Sequence, residues 1–461
     1  MTALPLLRQD TGQLLRLMAP ILLTQVAQAG YGLIDTVMAG QVSATDLAAV
    51  AIGAGLWLPV LLLCLGVLSA TTPLVAGQLG AGQSQKVVPL VQQGLWVALG
   101  VGVLGTALLQ AVPWLFDWAG VPASLQPKAQ LFLQGISLGM PASCVYAVLR
   151  GYSEALHQPV PVTVISLFGL LLTIPLNWVL IHGLFGLPAL GGPGCGFASA
   201  TVMWLLAVVL WVYVHRARRY AAVRLPWGLH RPDAAQIWAF LRLGLPIGVA
   251  TFFEASLFCV AAVVLSPLGE TTVAAHQIAL SVTSQLFMIP LSLSMALSIL
   301  VGHRHGAGDL AAVRRVVKLG LGLSTVLSLL SITALLSLHP WIPKAYTQDV
   351  AVQALAGTLL LFAAAYQLVD GWQVCSAGIL RGLHDTRATM WITLLCYWGV
   401  AFPLGYVLGR HTDWGAAGLW SGLVVGLLGA AVLLLWRVHQ QLYKILPALT
   451  KRHDNPARGM P

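Results

Sequence analysis

Charge is what this chain most lacks: Asp, Glu, Lys and Arg make up 8% of its 461 residues while 58% are hydrophobic, against roughly 25% charged in a soluble globular domain. So few charges cannot clothe a polar surface, which excludes a water-soluble protein and makes lipid the solvent. Paired cysteines are also missing. The six cysteines, Cys64, Cys144, Cys195, Cys259, Cys375 and Cys396, stand singly, with no CxxC and no histidine spacing suited to zinc, so neither a disulfide framework nor a resident metal centre is expected. No small-residue cleavage site follows the first apolar stretch, which is therefore expected to remain as a helix. The chain has no HExxH zinc motif and no DxxxD diphosphate motif, so an intramembrane enzyme is a poor fit. Gly80-Ala81-Gly82 and Gly306-Ala307-Gly308 precede helices but lack the Lys-Ser/Thr of a phosphate loop and read as tight turns.

What the chain has in abundance is apolar runs about 20 residues long, the length that crosses a bilayer as a helix. Twelve are expected, at 14–38, 47–76, 91–112, 130–150, 160–182, 195–215, 238–264, 274–300, 316–338, 352–379, 388–408 and 415–437. Of the 24 Lys and Arg, 21 fall in the termini and the even-to-odd loops, and only Lys128, Lys344 and Arg410 fall in the others. That asymmetry places both termini in the cytoplasm. With the basic residues assigned to loops, termini and span ends in this way, none is expected within the membrane interior. The net charge of +10 is then a positive-inside bias lying against anionic lipid, and a nucleic-acid partner is not expected.

The twelve spans read as two copies of one six-helix unit. Leu15-Arg16-Leu17 and Pro20 recur 226 residues later as Leu241-Arg242-Leu243 and Pro246, as do Ala48-Ala49 at Ala274-Ala275. Further on, Leu149-Arg150-Gly151 recurs as Leu380-Arg381-Gly382, and Pro175-Leu176 as Pro403-Leu404. Six helices per copy send both copies into the membrane in the same direction, so the pseudo-twofold axis runs along the membrane normal, a parallel-repeat transporter arrangement. The expected division is an N-lobe over 1–220, a cytoplasmic linker over 221–237, a C-lobe over 238–440 and a basic tail over 441–461.

Three of the 14 acids fall inside spans: Asp35, Glu254 and Asp370. An ionisable group there costs about 2.5–3.5 kcal/mol even on a lenient insertion scale, so each should face a cavity or a partner. With no basic residue expected in the membrane interior to pair with, the acids must be protonated, bind a metal cation or meet a cationic substrate, and each alternative points to transport. Glu254 and Asp370 lie roughly 20 and 16 Å from the inner face, near the midplane. Tyr366 and Gln373 share the Asp370 face of their helix. This makes either an oxygen-rich cation site, Na⁺ included, or a proton-sharing pair. Asp35 is shallower, but Gln28 and Tyr31 extend a polar stripe along its helix. Thr163, Ser166, Thr173 and Asn177 form a second stripe on the fifth span, and His276 and Gln277 open the eighth. Such stripes glue helices or line a pore.

The run Ala29-Gly30-Tyr31-Gly32-Leu33-Ile34-Asp35-Thr36-Val37-Met38-Ala39-Gly40 resembles the first helix of the multidrug and toxic-compound extrusion (MATE) family, NorM branch. Phe252-Phe253-Glu254, Val273-Ala274-Ala275-His276-Gln277-Ile278, Pro175-Leu176-Asn177-Trp178 and Leu380-Arg381-Gly382 carry the same resemblance. It implies an all-α integral membrane protein with two six-helix lobes around a central cavity. It further implies a monomer in the cell inner membrane that exports lipophilic cationic drugs in exchange for Na⁺ or H⁺, without a cofactor. By match to the family's motifs, Glu254, Asp370 and Tyr366 would form a C-lobe cation site, and Asp35 and Asn177 an N-lobe proton or drug site, with Gln28, Thr173, His276 and Gln277 as polar neighbours. Thr173 stands where many relatives carry a second Asn. The nearest rival, a lipid-linked oligosaccharide flippase of the same superfamily, would need Arg or Lys in its cavity to hold an anionic pyrophosphate cargo.

Overall fold

In the computed structural model, residues 3–111, 114, 116 and 121–444 are described, so the expected basic tail lies outside the described residues from 445 onward. Twelve helices long and apolar enough to cross a bilayer occur among them. They are α1 Pro5–Val42, α2 Ala44–Gly80, α3 Ser84–Ala111, α4 Gln126–Ala155, α5 Pro159–His182, α6 Gly194–Arg216, α7 Ala234–Leu268, α8 Glu270–Gly306, α9 Leu310–Leu338, α10 Val350–Gly382, α11 Thr386–Arg410 and α12 Gly415–Tyr443. Leu104, Phe168, Leu171 and Val263 are each at least 60% exposed, which suits helices whose outer face meets acyl chains rather than water.

Local chemistry sets the helix boundaries. Ser43 Oγ accepts from the Asp46 amide at the start of α2, and Asp309 and Asp349 cap α9 and α10 in the same way, each satisfying an amide that the first turn leaves free. Gly183, at φ 69°, ends α5 in a left-handed turn. The turns after α4 and α10 each place a histidine, His157 or His384, in the same left-handed region. α2 breaks between Leu68 and Thr71, and α4 between Ser137 and Met140. A wide π turn over Leu395–Ala401 interrupts α11.

The chain divides into two compact units, one of residues 19–252 and one of residues 1–18 with 253–461. In the first, Ala39, Val50, Phe132, Ile136, Ile181 and Cys195 form a buried cluster. The second has a larger core, in which Trp420 of α12 packs with Tyr397 of α11, Tyr366 of α10 and Ala279 of α8.

The segment ahead of α7 is tied down along its backbone. Gln92 and Trp96 of α3 donate to the carbonyls of Gly228 and His230, Gln93 spans the Arg231 carbonyl and the Asp233 amide, and Tyr152 donates to Val223 O. It is a strap on the 19–252 unit. Asp233 then receives the Gln236 side chain and the Ala235 and Gln236 amides, which hold its carboxyl below the usual carboxylate range and start α7 at Ala234.

The helices carry basic residues along their length, and this corrects the expectation that none lies within the membrane. Arg150 and Arg381 fall inside α4 and α10. Acids expected in loops are also buried, and each is paired with a cation: Asp10 with Arg304 and Arg315, Asp46 with Lys128, and Glu154 with Arg150.

Candidate functional site

In the 19–252 unit, Asp35 is 5% exposed. Asn177 Nδ2 of α5 donates to its Oδ1 at 2.7 Å, and Ser199 Oγ of α6 donates to its Oδ2 at 2.6 Å. The thiol of Cys195 points at the Asp35 carbonyl at 3.7 Å. Asn177 Oδ1 is buried without a partner. A carboxylate and a spare amide oxygen thus sit together in a cluster that can take up a proton or a small cation. Ser199 and Cys195 escaped the sequence reading, because nothing in an apolar run marks which face of α6 meets α1. Thr173 lies one turn before Asn177 but spends its hydroxyl on its own helix, at Gly169 O. Tyr31 donates to Ser166 O at 2.7 Å and Tyr146 pairs with Ser166 Oγ at 2.7 Å, which fastens the polar stripe of α5 to α1 and α4.

Gln28 sits elsewhere. It accepts from Arg150 Nη1 at 3.0 Å, Gln25 accepts from Nη2 at 2.7 Å, and Glu154 receives Nε at 2.7 Å. This is a second polar node, two helical turns along α1 from Asp35.

In the other unit, Asp370 of α10 is 6% exposed and Glu254 of α7 is partly buried. The two carboxylates lie within electrostatic reach of one another, and Tyr366 lies within reach of Asp370. Arg381 acts on Glu254 from three turns along α10, while its Nη2 donates to Ser294 Oγ at 2.8 Å. The hydroxyl of Tyr397 lies against Glu254 without forming a well-aligned hydrogen bond. Gln373, on the Asp370 face, keeps a buried and unpartnered Oε1. The site therefore gathers two carboxylates, one guanidinium and uncommitted oxygens. Hard oxygens of this kind suit a proton or an alkali cation better than a transition metal, and no group of three or more His, Cys, Asp and Glu gathers among the described residues.

His276 is fully buried beside this site. Trp420 Nε1 donates to its Nδ1 at 3.1 Å, and the indole stacks on Tyr366 with centroids 6.1 Å apart. The accepting Nδ1 leaves the ring's hydrogen on Nε2. Gln277 is exposed, turned away from its buried neighbour.

The chain does contain one enzyme-like pattern. Gly135-Ile136-Ser137-Leu138-Gly139 has the letters of a nucleophile elbow, but the elbow needs a strand-to-helix turn and these residues lie at the break in α4. Ser137 is buried and committed to Gln134 O and Gln110 Nε2. The glycines are packing residues: a Cβ on Gly135 would meet Phe197 N at 2.8 Å and one on Gly139 would meet Ala200 Cα at 2.8 Å, so they let α4 approach α6 closely.

Comparison with known proteins agrees with this architecture. The MatE family profile matches twice, over residues 20–179 and 246–407, two segments offset by 226 residues at their starts and 228 at their ends. The chain is 52% identical to a probable multidrug resistance protein NorM of Acinetobacter baylyi, over 95% of this chain and 98% of that one. It is 44% identical to the multidrug resistance protein PmpM of Pseudomonas aeruginosa, over 95% and 94%. Among solved structures, the eukaryotic MATE transporter AtDTX14 superposes with a TM-score of 0.87 at 20% identity, covering 95% of this chain and 99% of that one; at that identity the likeness speaks for the fold. Two six-helix halves, a doubled family match and near full-length similarity to NorM proteins agree, and the chain belongs to the MatE family of membrane transporters.

Proposed function

We propose that this protein is a multidrug efflux antiporter that exports lipophilic cationic compounds in exchange for Na⁺ or H⁺. The observation that carries the reading is the neighbourhood of Glu254 and Asp370, two carboxylates acting on one another with Arg381 as the fixed counter-charge among the described residues. Two negative charges and one positive leave room for a mobile cation, and a transporter couples to a gradient through a site whose charge changes during the cycle. Asp370, Glu254 and Tyr366 hold the coupling cation; Asp35, with Asn177 and Ser199, engages a proton or the cationic drug. Gln28 and Thr173 support the helix contacts around the second site, His276 orients Tyr366 through Trp420, and Gln277 faces the drug or lipid. The relatives' names, multidrug resistance proteins, support drug export. The Lys/Arg asymmetry supports both termini lying in the cytoplasm; a monomer in the inner membrane is what the family resemblance implies.

The flippase reading does not gain from the two arginines. Arg150 is committed to Glu154, Gln25 and Gln28, and Arg381 to Ser294 and the field of Glu254, so neither offers a free cation for a pyrophosphate.

The test is release of a cationic dye from proteoliposomes under an imposed pH gradient alone and then a sodium gradient alone. One of the two should drive export and collapse when dissipated. Dye movement indifferent to both gradients sinks the antiport reading.

A further inference from the structure

Inside the 253–461 unit, helices α8, α9 and α10 enclose a small cavity with room for about one water molecule. Pro290 and Leu293 of α8 form its apolar wall, and Ser324, Ser328, Ser331 and Gln367 form its polar one. The serines lie at spacings of four and three on α9, one face of that helix. Gly371 permits the arrangement: a Cβ there would meet Ser324 Oγ at 2.9 Å and would collide with Ser328 Oγ.

Two polar groups on this wall, Ser324 Oγ and Gln367 Nε2, are not spent on the protein. Thr325, Thr333 and Ser292 turn their hydroxyls back onto their own helices, at Leu321 O, Leu329 O and Met288 O. Ser324 is 1% exposed and Gln367 4% exposed, yet Ser324 Oγ and Gln367 Nε2 have no well-formed hydrogen bond. The Cys375 thiol stands beside Ser324, and it is a weak acceptor. An unpaired hydroxyl and an unpaired amide are costly in the dry interior of a membrane bundle, and here both face the same small space.

The occupant's chemistry follows from the lining. No carboxylate borders the cavity to hold a cation, and no Arg, Lys or His borders it to hold an anion. The amide of Gln367 offers a hydrogen, while Ser324 and Ser328 can each give or take one, so the ligand must both accept and donate. We propose that this cavity is a binding site for a single water molecule, held by Gln367, Ser324 and Ser328. The site lies one turn along α10 from Asp370 and hydrates that helix from the α9 side. This assignment does not rest on the transport reading.

Hydroxyl-radical footprinting of the full-length protein in lipid nanodiscs tests it, because radicals generated from buried water label the side chains that touch it. Leu293 lines the cavity, and Leu297, one turn further along α8, does not; both are 0% exposed. Leu293 should be oxidised about fivefold faster or more, since only it borders a water. Ser324→Val, which fills the cavity, and Gln367→Leu, which removes the amide, should each bring Leu293 down to the rate of Leu297. The wild-type rate should be the same in sodium chloride as in choline chloride. Equal rates at the two leucines in wild type overturn the proposal, as does fast labelling that survives both substitutions. Protection of Leu293 by sodium would make the occupant a cation and overturn it as well.

Discussion

Asn177 Nδ2 reaches Asp35 Oδ1 at 2.7 Å, joining α5 to α1 across 142 residues of sequence. Ser199 closes the other oxygen at 2.6 Å, so both carboxylate oxygens are met by side chains from two different helices. Charge and hydrogen bonding can be separated here. Ser199→Ala removes one donor from a buried carboxylate and should lower stability by about 1.5–3 kcal/mol, read as a lower unfolding temperature of the purified protein. Asp35→Asn keeps an acceptor for Asn177 and gives Ser199 a donor to accept from, so it should unfold near wild type. If the charge engages cationic drug, the same variant should bind a permanently cationic dye about tenfold more weakly, the equivalent of about 1.4 kcal/mol. Undiminished dye binding would reduce Asp35 to a packing residue.

Asp370→Asn should abolish gradient-driven efflux while the protein remains inserted, since an amide preserves shape but cannot exchange charge with a cation. Glu254→Gln should do likewise. Because the two carboxylates lie within each other's field, the double variant should lose little more transport than either single one, as groups acting as a unit are not additive. Transport assays on the three variants at matched protein levels check this. Losses that multiply would mean that the two acids do separate work.

The features that place these residues were legible in the sequence to different degrees. Apolar length marked all twelve helices, and the nearly constant offset marked the doubling, because both are one-dimensional properties. Asp35, Glu254 and Asp370 stood out because a charge in the middle of an apolar run has no cheap explanation. The ends of helices hid more. Asp10, Asp46, Glu154 and Arg150 look like ordinary interfacial charges in one dimension, since burial at a helix end depends on the neighbouring helix. Gln28 and Asp35 share one face of α1 yet serve different partners, Arg150 in one case and Asn177 with Ser199 in the other. Periodicity finds the face; only packing assigns the partner.

Arg150 and Glu154 test how much that hidden pairing contributes. Glu154 is 1% exposed and receives Nε at 2.7 Å, and removing one member of a buried pair strands the other's charge. Arg150→Met should therefore cost about 3–5 kcal/mol, with low expression or early thermal unfolding. Adding Glu154→Gln should recover part of the loss, since a neutral amide tolerates burial where an orphaned carboxylate does not. A double variant no more stable than Arg150→Met would show that the guanidinium matters through Gln25 and Gln28 rather than through Glu154.

The contact between α2 and the first half of α7 depends on glycine. A Cβ on Gly248 would meet Val67 Cγ2 at 2.6 Å and Leu63 O at 2.7 Å, and one on Gly66 would meet Gly248 Cα at 2.6 Å. The obstacles are largely backbone, which cannot rotate away as a side chain does. Helices in lipid gain no hydrophobic drive toward each other, so close backbone approach through small residues is a main source of their attraction. Gly248→Ala should push the two helices apart and destabilise the 19–252 unit by about 1–3 kcal/mol, the usual cost of overpacking. Gly55→Ala, on the same α2 helix but with nothing within 4 Å of the added carbon, is the matched control and should be neutral or slightly stabilising, because alanine favours helix over glycine by about 1 kcal/mol. Thermal unfolding of the two variants in one detergent decides the matter. If they lose stability equally, intrinsic helix preference rather than helix contact governs this region.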